Sequence, residues 1–348
     1  MSRFSIPDWW WPQVEQEKEA LQAYAVYPLH LEKVTNQLFR VEDGKQTYAL
    51  KRTTLTDETL KNWELVYQYA YSHNLTAVLP VYLTREGKLY TKTGQSVYYL
   101  TPWIHENENR SDQQIIEQIY HTIGSLHGKT KQSHPVQTDQ FKQQFRTYQT
   151  FCSETKDRLL EYVKVFERSR YMSPFELLVC TQYRDLELAL NIADKRIEQF
   201  LEEDDEQFAW NDSLCHGNLS RFHTVNSYLI NWEQSHQDNA VMDLVHFFQQ
   251  EAAEYGPIAD LLIELFPAYM KENELTLKEH YLLTMYLLNP TPYIAKVQAY
   301  SVKSSDYNMV DQIKHLQHEY RKINFGLAWS DYVEKEHESN FSMDDLES

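Results

Sequence analysis

Glycine is scarce in this chain, at 8 of 348 residues. That scarcity excludes collagen-like repeats and long flexible Gly/Ser linkers. Cysteine is scarcer still. Cys152, Cys180 and Cys215 are odd in number and spaced too widely for a zinc motif, so reduced thiols without a disulfide framework are expected. No stretch approaches the ~20 consecutive apolar residues that a membrane span needs. The opening Met-Ser-Arg-Phe-Ser-Ile-Pro lacks the apolar core of an export signal, which sets the expectation of a chain kept in the cytoplasm where it is made. Positive charge is also short: 33 Lys and Arg stand against 51 Asp and Glu, for a net charge of −18. Phosphate backbones and anionic lipids repel such a chain at long range, so nucleic acid and membrane surfaces are set aside as partners.

The composition is otherwise that of a globular protein, with 42% hydrophobic and 24% charged residues. At this length, two domains of roughly 100–200 residues are expected. Trp9-Trp10-Trp11 and Pro12 stand ahead of a helical pattern over Gln13–Tyr24. The three indoles read either as a docking patch for a partner or as an anchor that ties the arm to its own lobe. Strand-like segments follow at His30–Thr35, Gln37–Glu42 and Thr47–Arg52, the last two joined by Asp43-Gly44, a strong hairpin signal. A helix is predicted over Asp57–His73, then strands near Val78–Thr84, Leu89–Lys92 and Ser96–Ile104. Beyond Ser111 the periodicity turns helical, with apolar stripes through Ile115–His127, Phe141–Cys152, Leu159–Phe166 and Leu186–Leu201. The acidic run Glu202–Glu206 reads as a solvated loop and the tail from Glu334 as disordered.

One stretch organises the rest: Leu214-Cys-His-Gly-Asn-Leu-Ser-Arg-Phe-His223, then the apolar Tyr228-Leu229-Ile230, then Asn231-Trp232-Glu233. In aminoglycoside phosphotransferases and related small-molecule kinases, a His-Gly-Asp opens the catalytic loop, an Asn follows five residues after the Asp, and an Asp ends the next strand. This chain resembles that frame with its charged groups exchanged for neutral ones, having Asn218, His223 and Asn231 at the three positions. The resemblance implies an α+β, bilobal protein kinase-like fold, with a small N-terminal antiparallel sheet lobe (1–104), a larger mainly helical C-terminal lobe (105–333) and an acidic tail (334–348). It also implies roles. Lys51, ending the apolar Tyr48-Ala49-Leu50, reaches nucleotide phosphates or is only an edge-strand charge. Glu64 either pairs with Lys51 from the following helix or is a solvated surface acid. His127, His216 and Asp243 are structural hydrogen-bonders. The turn Val34-Thr35-Asn36-Gln37 lies where a phosphate-covering loop is expected, yet it has no glycine to admit a phosphate close to the backbone.

Asn218 stands at a degenerate general-base position. An amide has no useful basicity near neutral pH, so base assistance worth ~10²–10⁴-fold is absent. Asn231 and His223 stand at degenerate metal-ligand positions, where a neutral carbonyl and an imidazole replace the oxygen anions a hard cation prefers. Glu233, Asp212 and Asp238 are near enough in sequence to rescue the site. Over nearly its whole length the chain resembles the spore coat CotS family, in its YutH-like branch, on Ala49-Leu-Lys-Arg52, Tyr99-Leu-Thr-Pro-Trp-Ile104, Leu126-His-Gly-Lys-Thr130 and the 214–223 stretch. That resemblance implies a pseudokinase with a structural or scaffolding role in coat assembly during sporulation. It would be made in the mother-cell cytoplasm, then held in the spore coat, with other coat proteins as partners. No cofactor is expected. The competing expectation is an active small-molecule or protein phosphotransferase with unusual metal ligands, which would require ATP and Mg²⁺.

Overall fold

The computed structural model describes residues 15–105, 110–136, 138–201 and 208–338. The triple Trp, the acidic run Glu202–Glu206 and the tail beyond 338 lie outside the described residues. The chain divides into two compact units. One comprises Met1–Arg110 with His216–Asn218 and Phe222–Gln237; the other comprises Ser111–Cys215, Leu219–Arg221 and Asp238–Ser348.

The first unit is built on a five-stranded antiparallel sheet of β1 (His30–Lys33), β2 (Leu38–Glu42), β3 (Thr47–Thr53), β4 (Thr91–Thr93) and β5 (Ser96–Pro102), in the order β1-β2-β3-β5-β4. The Asp43-Gly44 signal forms the β2–β3 turn as expected. The Asp43 carboxylate accepts from the backbone N–H groups of Lys45 and Gln46 at 2.8 and 2.9 Å, and Gly44 takes φ +86°. Successive strand residues point to opposite faces of a sheet. Phe39, Val41, Tyr48, Leu50, Tyr98 and Leu100 therefore share one face, where they form a core with Ala20 and Leu21 of helix α1 (Glu15–Ala23). Helix α2 (Asp57–Ser72) starts at a capping box of Thr56 and Thr59 and buries Leu60, Trp63 and Val66.

The strand expected over Val78–Thr84 does not form. Pro80 has no N–H to give a ladder. The segment instead makes an isolated parallel bridge from Val78 to Leu229, while the Tyr82 N–H reaches the Leu100 carbonyl and the Thr84 N–H the Lys88 carbonyl, each at 2.8 Å.

The second unit is mainly helical. Helix α3 (Asp112–Thr130) opens at a Ser111–Gln114 capping box. Strand β6 (Gln132–Val136), helices α4 (Thr138–Glu167) and α5 (Pro174–Leu201), and strand β7 (Phe208–Cys215) follow, with β6 and β7 paired antiparallel. Further helices follow among the described residues: α6 (Ala240–Ala252), α7 (Ile258–Glu264), α8 (Phe266–Glu272), α9 (Leu277–Leu287), α10 (Thr291–Ser301) and α11 (Met309–Val333). One core packs Leu159 and Val163 of α4 against Val179, Leu186 and Ala189 of α5, Val297 of α10 and Leu316 and Ile323 of α11.

Helix α5 begins twelve residues earlier than its apolar stripe predicts. Phe175 and Val179 carry its buried face back to a start marked by local chemistry: the Ser173 hydroxyl accepts from the Glu176 N–H at 3.2 Å, and the Glu176 carboxylate accepts from the Ser173 N–H at 2.7 Å. At the other end of the unit, α11 continues into a π-helical turn, Glu334–Glu338, where the sequence reading begins the tail. Glu334 is held there by Lys195 at 3.3 Å and the buried Arg196 at 3.1 Å. Among the described residues no helix is long and apolar enough to cross a membrane.

Candidate functional site

The face of the first-unit sheet opposite its core carries Leu38 and Arg40 of β2, Ala49 and Lys51 of β3, and Tyr99 and Thr101 of β5. The register sets Leu38 and Tyr99 on either side of Lys51, and Arg40 and Thr101 on either side of Ala49. Together with Trp103, Ile104, Ile230 and Asn231 these residues line a cavity of about 580 Å³. That size and its largely apolar wall with few polar groups are those of a small-molecule site.

Lys51 is engaged inside this cavity wall. Its ammonium donates to the Asn231 side-chain carbonyl at 2.6 Å and forms an ion pair with Glu233. The Tyr99 hydroxyl donates to the same Glu233 oxygen at 2.6 Å, and the Lys51 ammonium also stands 5.9 Å from the centre of the Tyr99 ring. Burial alone would push the Glu233 carboxyl up. The Lys51 charge, its hydrogen bond and the Tyr99 hydroxyl outweigh burial and hold the carboxyl below its usual range. Tyr99 moves the other way: burial, reinforced by the Glu233 charge, pushes its phenol well above the ordinary value.

Glu64 is not part of this cluster. Helix α2 turns Trp63 toward Tyr99, ring centres 5.0 Å apart, and Tyr67 packs on Trp63 at 4.7 Å. A helix advances about 100° per residue, so Glu64 lies off the face that looks at Lys51. The expected Lys51–Glu64 pair is therefore replaced by Lys51–Glu233. Glu233 stands in the sequence among the acids near enough to rescue the site, but nothing there signals Tyr99 as its hydrogen-bond donor.

The other motif residues of this unit gather around a tight backbone. His216 Nδ1 accepts from the Asn218 N–H at 3.3 Å, which leaves Nε2 as the protonated nitrogen that donates to the Ile230 carbonyl at 2.8 Å. His216 also packs against Trp232, ring centres 4.5 Å apart. Gly217 takes φ +76°, and a Cβ there would lie 2.1 Å from the Gln234 carbonyl oxygen, so no other residue fits. Asn231 sits at φ +69°, a left-handed conformation that Asn tolerates better than most residues. His223 donates from Nδ1 to the Asn218 carbonyl at 2.5 Å. The half-buried Asn218 side chain has no hydrogen bond among the described residues.

As a magnesium site this donor set fits poorly. The Asn231 carbonyl already accepts from Lys51, His223 has only Nε2 to offer, and Asn218 carries no charge. A hard cation prefers several oxygen ligands with negative charge among them. As a base and ribose pocket the cavity fits by size and lining, but the lysine that would meet phosphate is already paired.

Asp243 and His127 belong to the second unit. Both are fully buried, with His127 Nε2 3.2 Å from an Asp243 oxygen and Nδ1 2.9 Å from the Tyr269 hydroxyl. Cys215 brings its sulfur to the same place, within 4.8 Å of both. Burial pushes the Cys215 thiol well up, Asp243 and Asp238 push it further, and the thiol donates weakly to the Asp238 carbonyl at 3.5 Å. A protonated thiol is a poor metal ligand. The cluster is a hydrogen-bonded piece of core, the structural role expected for His127.

No protein-family model matches the sequence, and no curated protein is significantly similar to it. Solved structures are similar over almost their full length. An aminoglycoside phosphotransferase from Alicyclobacillus acidocaldarius covers 96% of this chain and 98% of its own at a TM-score of 0.64 and 15% identity. Spectinomycin phosphotransferase APH(9)-Ia with bound AMP covers 91% and 98%, at 0.54 and 11%. A microcompartment-associated aminopropanol kinase covers 92% and 98%, at 0.52 and 10%. The chain therefore has the aminoglycoside phosphotransferase type of protein kinase-like fold. At these identities the likeness concerns the fold alone.

Proposed function

We propose that this protein is a pseudokinase: a kinase-fold chain that keeps a small-molecule cavity and has given up phosphoryl transfer. The observation that carries the reading is the closed Lys51–Glu233–Asn231–Tyr99 cluster. Transfer depends on positioning and on metal ions that neutralise phosphate charge. Here the phosphate lysine is neutralised from within, and neither Asn218 nor Asn231 supplies an anion. The sequence resemblance to the CotS family adds a setting for such a protein, as a scaffold among other proteins of the spore coat.

The test has two parts. Calorimetric titration with ATP in the presence and absence of Mg²⁺ is expected to give no Mg²⁺-dependent gain in affinity. Incubation with γ-labelled ATP and a panel of amino alcohols, aminoglycosides and candidate protein acceptors is expected to give no labelled product. Turnover of any acceptor ends the proposal. For the setting, a fluorescent fusion expressed in a sporulating bacterium is expected to move from the mother-cell cytoplasm to the coat, and a signal that stays diffuse counts against that part.

A second reading is favoured by Glu233. It is a carboxylate that shares Lys51 with Asn231, and it would be released to a cation if Lys51 turned to phosphate instead. In that reading the chain is an ATP-dependent phosphotransferase, and Glu233→Gln abolishes a measurable transfer activity.

A further inference from the structure

A cavity of about 560 Å³ lies wholly within the second unit and shares no lining residue with the Lys51 cavity. Arg321 and Phe325 line it from α11, Asp260 and Ile263 from α7, and Glu254 and Tyr255 from the segment that joins α6 to α7. Residues three and four apart on a helix are neighbours on one face, which is why each helix offers the cavity a polar and an apolar side chain together. Phe325 is 3% exposed and packs on the Phe248 ring of α6 with centres 5.3 Å apart, giving the cavity a fixed apolar floor.

Arg321 is half-buried, and its Nε donates to the Ala253 carbonyl at 2.6 Å, just past the last residue of α6. A cation suits a helix C-terminus, so capping accounts for that one bond. It does not account for the rest of the group. A guanidinium has five N–H donors, and with the Nε–H spent, the four on its terminal nitrogens keep the fork that matches a carboxylate. Among the described residues no acid stands within 4.0 Å of the Arg321 nitrogens, although Glu254 and Asp260 line the same cavity. Both of those carboxylates are exposed, and among the described residues neither is paired with a cation. Arg196 and Arg221 of the same unit do close on acids, Glu334 for the first and Asp112 with Glu251 for the second.

We propose that this cavity binds a free α-amino acid with a large apolar side chain, its carboxylate on Arg321, its ammonium on Glu254 and Asp260, and its side chain on Phe325 and Ile263. A carboxylate alone would meet the guanidinium fork but also two acids, and an amine alone would meet the acids but also the guanidinium. A zwitterion answers both signs. It carries no net charge, so the −18 of the chain does not repel it. The size of the cavity, with an apolar floor and few polar groups, is that of a small-molecule site. Because its residues are separate from those around Lys51, the site stands whether or not the chain transfers phosphate.

The test titrates the isotope-labelled full chain with L-phenylalanine and follows its backbone amide resonances. Saturable shifts are expected in 252–263 and 321–328 at millimolar ligand. Hydrocinnamate, which lacks the ammonium, and phenethylamine, which lacks the carboxylate, are each expected to bind about tenfold more weakly or worse. Two variants then separate the halves, each first shown by its spectrum to be folded. Arg321→Gln is expected to weaken L-phenylalanine by about tenfold or more, through loss of the charged fork. Glu254→Gln/Asp260→Asn, at two exposed positions, is expected to weaken L-phenylalanine yet tighten hydrocinnamate, because the acids that repel a lone carboxylate are gone. Capping of α6 by Arg321 would not produce that opposition of sign. The absence of saturable shifts in these segments overturns the proposal. So does hydrocinnamate or phenethylamine binding as tightly as the amino acid, which would make this a site for a lone acid or a lone amine, and so does a double variant that moves both ligands in the same direction.

Discussion

Replacing Lys51 by Met removes the positive charge from a carboxylate that is only 16% exposed, and the consequences can be worked through in sign and size. Breaking a buried ion pair from one side costs about 3–5 kcal/mol, because the remaining charge is left without compensation. The residual exposure of Glu233 places the expected loss near the low end, about 3 kcal/mol. In the parent protein Glu233 is held below its usual range. Its contribution is therefore full above the unfolded carboxyl value of ~4.3 and is lost as pH falls through the folded value.

In Lys51→Met the opposing influence of burial remains and the lysine is gone, so the carboxyl rises above its unfolded value. Stability contributed by that group is then present below pH ~4.3 and lost as pH rises through the raised value. Urea unfolding of parent and variant at pH 5 and pH 8 should show a larger gap at pH 8. Adding Glu233→Gln should recover part of the loss at pH 8, because no buried charge is left behind. An equal deficit at both pH values, or a double variant no more stable than Lys51→Met alone, would show that the pair is not what holds this wall together.

Asn218→Asp with Asn231→Asp should create a Mg²⁺-dependent rise in melting temperature with ATP that the parent lacks, and a flat thermal-shift titration of a folded variant would remove neutrality as the explanation. Gly217→Ala should be severe, by about 3 kcal/mol or more, since it meets the Gln234 carbonyl as well as a positive φ. Gly87→Ala has the positive φ alone, with open space around it, and should cost only ~1–2 kcal/mol in a denaturant titration. Ser111→Ala removes the α3 cap and should lower stability by about 1 kcal/mol by the same measurement.

Much of the fold was legible because it is written in local chemistry. The Asp43-Gly44 turn and the apolar strand Tyr48-Ala49-Leu50 that ends at Lys51 each needed only a few neighbouring residues to read. The failures were those of periodicity without context. Val78–Thr84 has strand composition, but Pro80 denies it a ladder, and α5 runs twelve residues ahead of Leu186 because Phe175 and Val179 continue its buried face back to the Ser173 cap. At the site, the sequence brought Lys51, Asn231 and His223 into view by motif. It could not decide which acid meets Lys51, because that depends on the rotation of α2 and on a backbone turn at Asn231 that only the folded chain reveals. Tyr99 was invisible for the same reason: as one of two adjacent tyrosines on β5, its role follows from register across to β3.

The strict alternation of β2, β3 and β5 has a consequence for how this chain can change over time. Selection that merely preserves Phe39, Leu50, Tyr98 and Leu100 against α1 also preserves the spacing and aim of Leu38, Lys51, Tyr99 and Thr101 on the reverse side. A hollow can thus be inherited as a by-product of solubility and folding, long after any occupant has ceased to matter, and it stays available for a new tenant with no rebuilding of the sheet.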